Sequence, residues 1–119
     1  MADKERNDLL QGTLDLLILE TLRLEPKHGW GISKRIRQLS RDVLEIQQGS
    51  LYPALYRLQD KGLIRSRWGA SDEGRRVKVY RLTRRGERQL ESERDSWRTL
   101  SGAVDAVLSA RDQLEPEGA

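Results

Sequence analysis

The sequence predicts a mainly α chain with a small β-hairpin and a long final helix, on three observations. Apolar residues recur at helical spacing up to Gly62 and again after Thr83. Between those stretches, IRSRW (residues 64–68) and VKVYRL (residues 77–82) alternate in the two-residue rhythm of strands. The segment joining the two runs, GASDEGRR, contains two glycines and no apolar anchor, so the runs close into a hairpin.

The first helix is expected over residues 9–24. Leu10, Leu14, Leu17, Ile18 and Leu22 form one broad stripe, while Leu9, Leu16 and Leu19 fall on another side. One stripe serves the domain's own core; the surplus calls for a second partner. Pro26 and Gly29 make the connection to a second helix over residues 30–40, with Ile32, Ile36 and Leu39 inward and Lys34, Arg35, Arg37 and Arg41 outward. His28 and Trp30 are expected to pack at that junction. Val43, Leu44 and Ile46 form a short apolar connection.

The third helix lies in GSLYPALYRLQDKGLI, residues 49–64. Leu51, Leu55 and Leu58 stand at i, i+4 and i+7, and Ser50 as N-cap would place Pro53 in the first turn, where its missing N–H is not needed. An earlier start at Gln48 would make the proline distort that turn instead. Gly62 ends the helix. Arg65 and Arg67 alternate on an exposed strand face, where they guard a sheet edge. Thr83 caps a last helix over residues 84–110, in which Leu90, Trp97, Leu100, Val104 and Val107 occupy heptad a and d positions. The tail QLEPEGA is expected to be disordered. The expected organisation is therefore residues 1–83 as one domain, 84–110 as an appended helix and 111–119 as tail.

Composition narrows the function. The 119 residues suffice for one domain, yet 34% are charged, 5% are aromatic and none is Phe, so the core is thin and burial shared with a second copy is expected. With no Cys and one His, disulfides and thiolate chemistry are excluded and no metal or cofactor is expected. His28 has no nucleophile motif around it, and no glycine-rich phosphate loop follows a strand, so catalysis is not expected. The start MADKERNDLL is polar and no apolar run nears the roughly 18 residues of a membrane helix. A cytoplasmic protein is expected.

Charge is concentrated. From residue 65 to 85, eight basic residues stand against Asp72 and Glu73, a net of +6; the whole chain carries +3, which leaves −3 for the rest. Such a cluster suits a polyanion.

Three short helices followed by a basic hairpin are the layout of a winged helix-turn-helix. An α-helix fits the DNA major groove, and a basic hairpin beside it reaches phosphates. The groove side of the third helix is then Gly49, Ser50, Tyr52, Pro53 and Arg57, with Gln47 and Gln48 leading in. Tyr56 falls between core and solvent, and its ring is expected to pack. Lys34 and Arg35 on the second helix are candidates to clamp the backbone, and Arg75, Arg76 and Lys78 on the wing to meet phosphates. Exposed apolar stripes on the first and last helices, Leu9, Leu16 and Leu19 with Leu90, Trp97, Leu100, Val104 and Val107, point to dimerisation. The alternative is a protein–protein interaction module that uses the same helix and wing.

The sequence also resembles the PadR family of bacterial transcriptional regulators, from about residue 9 to 108. The resemblance rests on QGTLDLLIL (11–19), HGWGISKRI (28–36), GSLYPALYRLQDKGLI (49–64) and YRLTRRGERQL (80–90). The proline after Tyr in LYPAL is its most specific mark. The resemblance implies a homodimeric repressor of the shorter type, with one C-terminal dimerisation helix, binding a pseudo-palindromic operator. It also implies a small aromatic effector between the dimer arms near Trp97. Trp30 stands where Tyr is more usual, and Asp72 and Glu73 at the wing tip depart from a purely basic wing.

Overall fold

The computed structural model describes residues 3–110, with side chains from residue 13 onward. The expectations for Leu9 and Leu10 as side chains, and for the tail 111–119, fall outside the described residues. Four helices and three strands follow in the order α1 (Asp3–Leu24), β1 (Lys27–His28), α2 (Gly29–Leu39), α3 (Gln48–Asp60), β2 (Ile64–Ala70), β3 (Arg76–Leu82) and α4 (Arg84–Ser109). No described helix is long and apolar enough to cross a membrane.

One core holds the domain together. Leu14, Ile18, Leu19 and Leu22 of α1 meet Ile32 and Ile36 of α2, Leu51, Ala54, Leu55 and Leu58 of α3, and Leu63, Ile64 and Leu90. Two residues expected on exposed dimer stripes are part of it: Leu19 is fully buried and Leu90 is only 2% exposed. The surplus stripe of α1 is therefore smaller than its leucine count suggests, because α4 crosses α1 and covers it. Leu39, expected inward, is exposed at the end of α2.

Helix boundaries have local causes. His28 caps α2, its Nδ1 accepting from the Gly31 amide at 3.1 Å. α2 ends with the Asp42 amide donating to the Arg37 carbonyl and the Arg41 amide to that of Gln38. This Schellman turn places Arg41 (φ 54°) and Asp42 (φ 65°) in the left-handed region, where glycine is favoured. α3 begins at Gln48, with Gln47 and not Ser50 as its N-cap residue, so Pro53 sits inside the helix. Its missing N–H leaves Gly49 without the usual helical partner. Gly62 (φ 75°) ends α3 in a second Schellman turn, in which the Leu63 amide reaches the Leu58 carbonyl at 3.0 Å.

The sheet is antiparallel, in the order β1-β3-β2. Strand β1, two residues paired with Val79 and Tyr80, is an addition to the expected hairpin. Residues opposite one another share a face. Hence Ile64, Ser66, Trp68 and Ala70 lie on one face with Leu82, Tyr80, Lys78 and Arg76, and Arg65, Arg67, Val79 and Arg81 lie on the other. The first face packs on the core at its base and overhangs toward the turn. β2 is an edge strand, as expected of its arginines.

Thr83 caps α4, accepting from the Gly86 amide at 3.0 Å while its hydroxyl faces the Gly62 and Leu63 carbonyls at 2.8 and 3.0 Å. Gly86 lies directly on the Leu63 carbonyl, too close for any Cβ. The T-x-x-G spacing thus fastens α4 to the α3–β2 junction. Beyond Leu90, α4 projects as an arm and the molecule measures 67 × 29 × 23 Å.

Candidate nucleic-acid interface

Four residues of α3 are buried, Leu51, Ala54, Leu55 and Leu58. At about 100° per residue, the direction opposite them is held by Gly49, Pro53, Tyr56 and Asp60, with Gln48 and Tyr52 on one flank and Ser50 and Arg57 on the other. The N-terminal half of this outer face carries no acid; Asp60 sits at the far end. A Cβ on Gly49 would meet nothing within 4 Å, so the backbone is open to approach there.

Tyr56 does not pack as expected, and Tyr52 is shared between the surface and the α2 junction. Tyr56 is 78% exposed and stands on the outermost face. Tyr52, 45% exposed, lays its ring against Gly29 at the start of α2, leaving no room for a side chain there. Nearby Tyr80 is half-buried, and that burial, followed by the proximity of Tyr52, pushes its phenol above the ordinary value. Arg57 is turned from the expected groove side: its Nη2 donates to Asp15 Oδ1 of α1 at 2.8 Å. It ties α3 to α1.

On α2, Trp30, Ser33, Lys34 and Arg37 form one face, as their i, i+3, i+4 and i+7 spacing requires. Together with Glu45, Ile46, Gln47 and Gln48 they line a cleft of about 390 Å³ against the start of α3. Lys34 Nζ lies 5.0 Å above the Trp30 ring, which in turn runs parallel to His28. Arg35 points elsewhere, to Glu25 Oε1 at 2.9 Å. Lys27, with Arg35 behind it, holds the Glu25 carboxyl below the usual range. Lys34 therefore faces the cleft, and Arg35 does not.

On the wing, the turn between β2 and β3 is closed by Ser71, whose amide donates to the Arg75 carbonyl at 2.8 Å. Arg75, Asp72 and Glu73 are exposed in it. Arg76 and Lys78 lie on the overhanging face and gather over Trp68, at 4.2 and 5.6 Å from the ring centroid. Sequence reading missed Trp68, Tyr56, Trp30 and Arg37. A register that pairs Trp68 with Lys78 could have found the first, and a helical projection centred on all four buried α3 residues the second.

On the arm, Trp97, Leu100, Val104, Val107 and Leu108 are exposed. Trp97 and Leu100 line a cleft of about 300 Å³ with Thr13, Leu16, Glu93 and Ser96. Arg94 approaches Glu20 of α1 at 3.9 Å. No cluster of three or more metal-ligating side chains occurs among the described residues.

Three helices, an outward third helix with an acid-free leading half, and a cationic hairpin behind it define a winged helix-turn-helix of the DNA-binding class. Comparison with known proteins gives the family. Residues 18–92 match the Transcriptional regulator PadR-like family. A PadR-like transcriptional regulator from Bacillus cereus is 32% identical, with a TM-score of 0.73 over 85% of this chain and 96% of that one. A transcriptional regulator from Clostridium thermocellum is 28% identical, with a TM-score of 0.75 over 82% and 95%. Transcriptional regulator YqjI of Escherichia coli is 30% identical over 80% of this chain, which spans 44% of that longer protein. The chain belongs to the PadR-like family of transcriptional regulators. Its class is DNA-binding transcription regulation, and regulators of this family are not enzymes.

Proposed function

We propose that the protein is a homodimeric repressor that binds a pseudo-palindromic operator. The observation that carries the DNA-binding half of this reading is the cationic wing, whose Arg75, Arg76 and Lys78 make no ion pair among the described residues, beside an α3 whose leading half bears no acid. In this reading Gln47, Gln48, Gly49, Ser50, Tyr52 and Pro53 approach base edges, joined by Tyr56, whose exposure suits it to the same groove. Lys34 contacts the backbone from the cleft beside α3. Arg75, Arg76 and Lys78 meet phosphates, and Arg35 is held back by Glu25. Residues 1–83 form the DNA-binding unit and 84–110 the dimerisation arm, through Trp97, Leu100, Val104 and Val107 with Leu16. A small aromatic effector that binds between the dimer arms near Trp97 would release the repressor.

The test is a titration of random and selected duplex DNA over a range of salt. A dimer that neutralises six to eight phosphates gives a log–log slope of roughly −5 to −7. Sequences selected from random duplexes are expected to show two half-sites about 34 Å apart. A promoter carrying the selected site is expected to be silenced by the protein. A flat salt response overturns DNA binding, asymmetric selected sites overturn the dimeric operator, and activation of that promoter overturns repression.

A further inference from the structure

The cationic wing carries an exposed tryptophan in its middle. Trp68 is 55% exposed, stands opposite Lys78 in the ladder and lies diagonal to Arg76, which is opposite Ala70. Both cations rest on its ring. Among the described residues neither is in an ion pair, although Asp72 and Glu73 sit a few residues away in the turn. The register explains this choice. Arg76, Lys78 and Trp68 share a face, and the aromatic ring offers negative potential without the pull of a carboxylate.

The consequence is geometric. A guanidinium lying on a ring keeps its in-plane N–H donors free, so Arg76 can be held by Trp68 and still present its edge to a phosphate. A carboxylate partner would occupy those same donors. Long cationic side chains otherwise lose rotamer freedom when they dock. Here that freedom is already restricted before DNA arrives.

We propose that Trp68 is a positioning residue of the wing, which holds Arg76 and Lys78 ready for the DNA backbone. The proposal rests on the DNA-binding reading above. Trp68 itself reads no base and neutralises no charge.

The experiment compares duplex affinity and its salt slope in the full-length protein for Trp68→Ala, Trp68→Phe, Arg76→Ala/Lys78→Ala, and the triple variant. Trp68→Ala is expected to weaken binding about three- to tenfold, the scale of re-ordering one or two long side chains. Its slope stays unchanged, because the same phosphates are neutralised. Trp68→Phe recovers most of the loss. Arg76→Ala/Lys78→Ala flattens the slope by about one for each cation per protomer. In that background, Trp68→Ala is silent. Wild-type affinity in Trp68→Ala overturns the proposal, as does a slope that falls with it, which would make Trp68 a scaffold of the hairpin. Further weakening in the triple variant also overturns it, since Trp68 would then touch DNA itself. Absence of wild-type binding to any duplex at low salt is distinct from these, because it removes the DNA-binding reading and the proposal with it.

Discussion

The ring of Tyr52 occupies the space that a side chain on Gly29 would need: a Cβ built there lies 2.7 Å from Oη and 2.9 Å from Cε1. The first residue of α2 is thereby keyed to the first turns of α3. Ala at position 29 is expected to cost about 1–3 kcal/mol by overpacking, more than the roughly 1 kcal/mol that Ala ordinarily adds over Gly in a helix. In a Tyr52→Ala background the same change becomes neutral or stabilising. Urea unfolding of the four proteins of this cycle measures the coupling, and additive effects would show that the contact is not the cause.

Arg57 shows where a helical projection stops being informative. Its angle on α3 is compatible with the groove, but the decision belongs to Asp15, 42 positions earlier, which accepts its hydrogen bond. Both side chains are partly solvated, at 35% and 23% exposed, so Arg57→Ala is expected to lower stability by about 1 kcal/mol or less. Operator preference, read by competition among selected sequences, should be unchanged. A shifted preference would return Arg57 to the groove side.

The same distinction accounts for how much was legible in the sequence. Capping residues, alternating strands and glycine stops act locally, so Thr83, Gly62 and the β2–β3 hairpin could be read directly. Long-range partners could not. Leu19 and Leu90 look like spare leucines until α4 is seen to cross α1, and Arg35 looks like Lys34 until Glu25 is placed beside it. β1 is two residues long and carries no strand pattern of its own; it pairs only because β3 passes beside it. Tyr52 and Tyr56 differ by one helical turn in sequence, and only the position of Gly29 tells them apart.

Gly49 separates stability from recognition. It sits in the second position of α3 with open space around its missing Cβ. Gly49→Ala should therefore raise stability by up to about 1 kcal/mol, since Ala is the better helix former. If base edges or phosphates approach this backbone, the new methyl stands in their way and operator affinity falls while the melting temperature rises. Fluorescence anisotropy with the selected operator, beside thermal unfolding, reads both. Undiminished affinity would place Gly49 outside the contact.

α4 is 26 residues long, and its buried residues, Gly86 and Leu90, lie near its beginning, where Thr83 caps it. Trp97 and Leu100 line the cleft against α1, whereas Val104, Val107 and Leu108 are exposed among the described residues. An exposed apolar stripe of this length suits a second copy, and a two-fold axis lets each arm cover the other. Burying Leu100 and Val104 across such an axis would contribute about 1.5–3 kcal/mol per side chain. Leu100→Asp/Val104→Asp places charges in that seam while leaving the core of the DNA-binding unit untouched, so the variant should fold and be monomeric. It should keep salt-dependent binding to random duplexes through one wing and one α3, and lose its advantage on the selected operator. Light scattering at micromolar concentration decides the first point. A monomeric wild-type protein, or a double variant that remains dimeric, would show that this stripe does not hold two copies together.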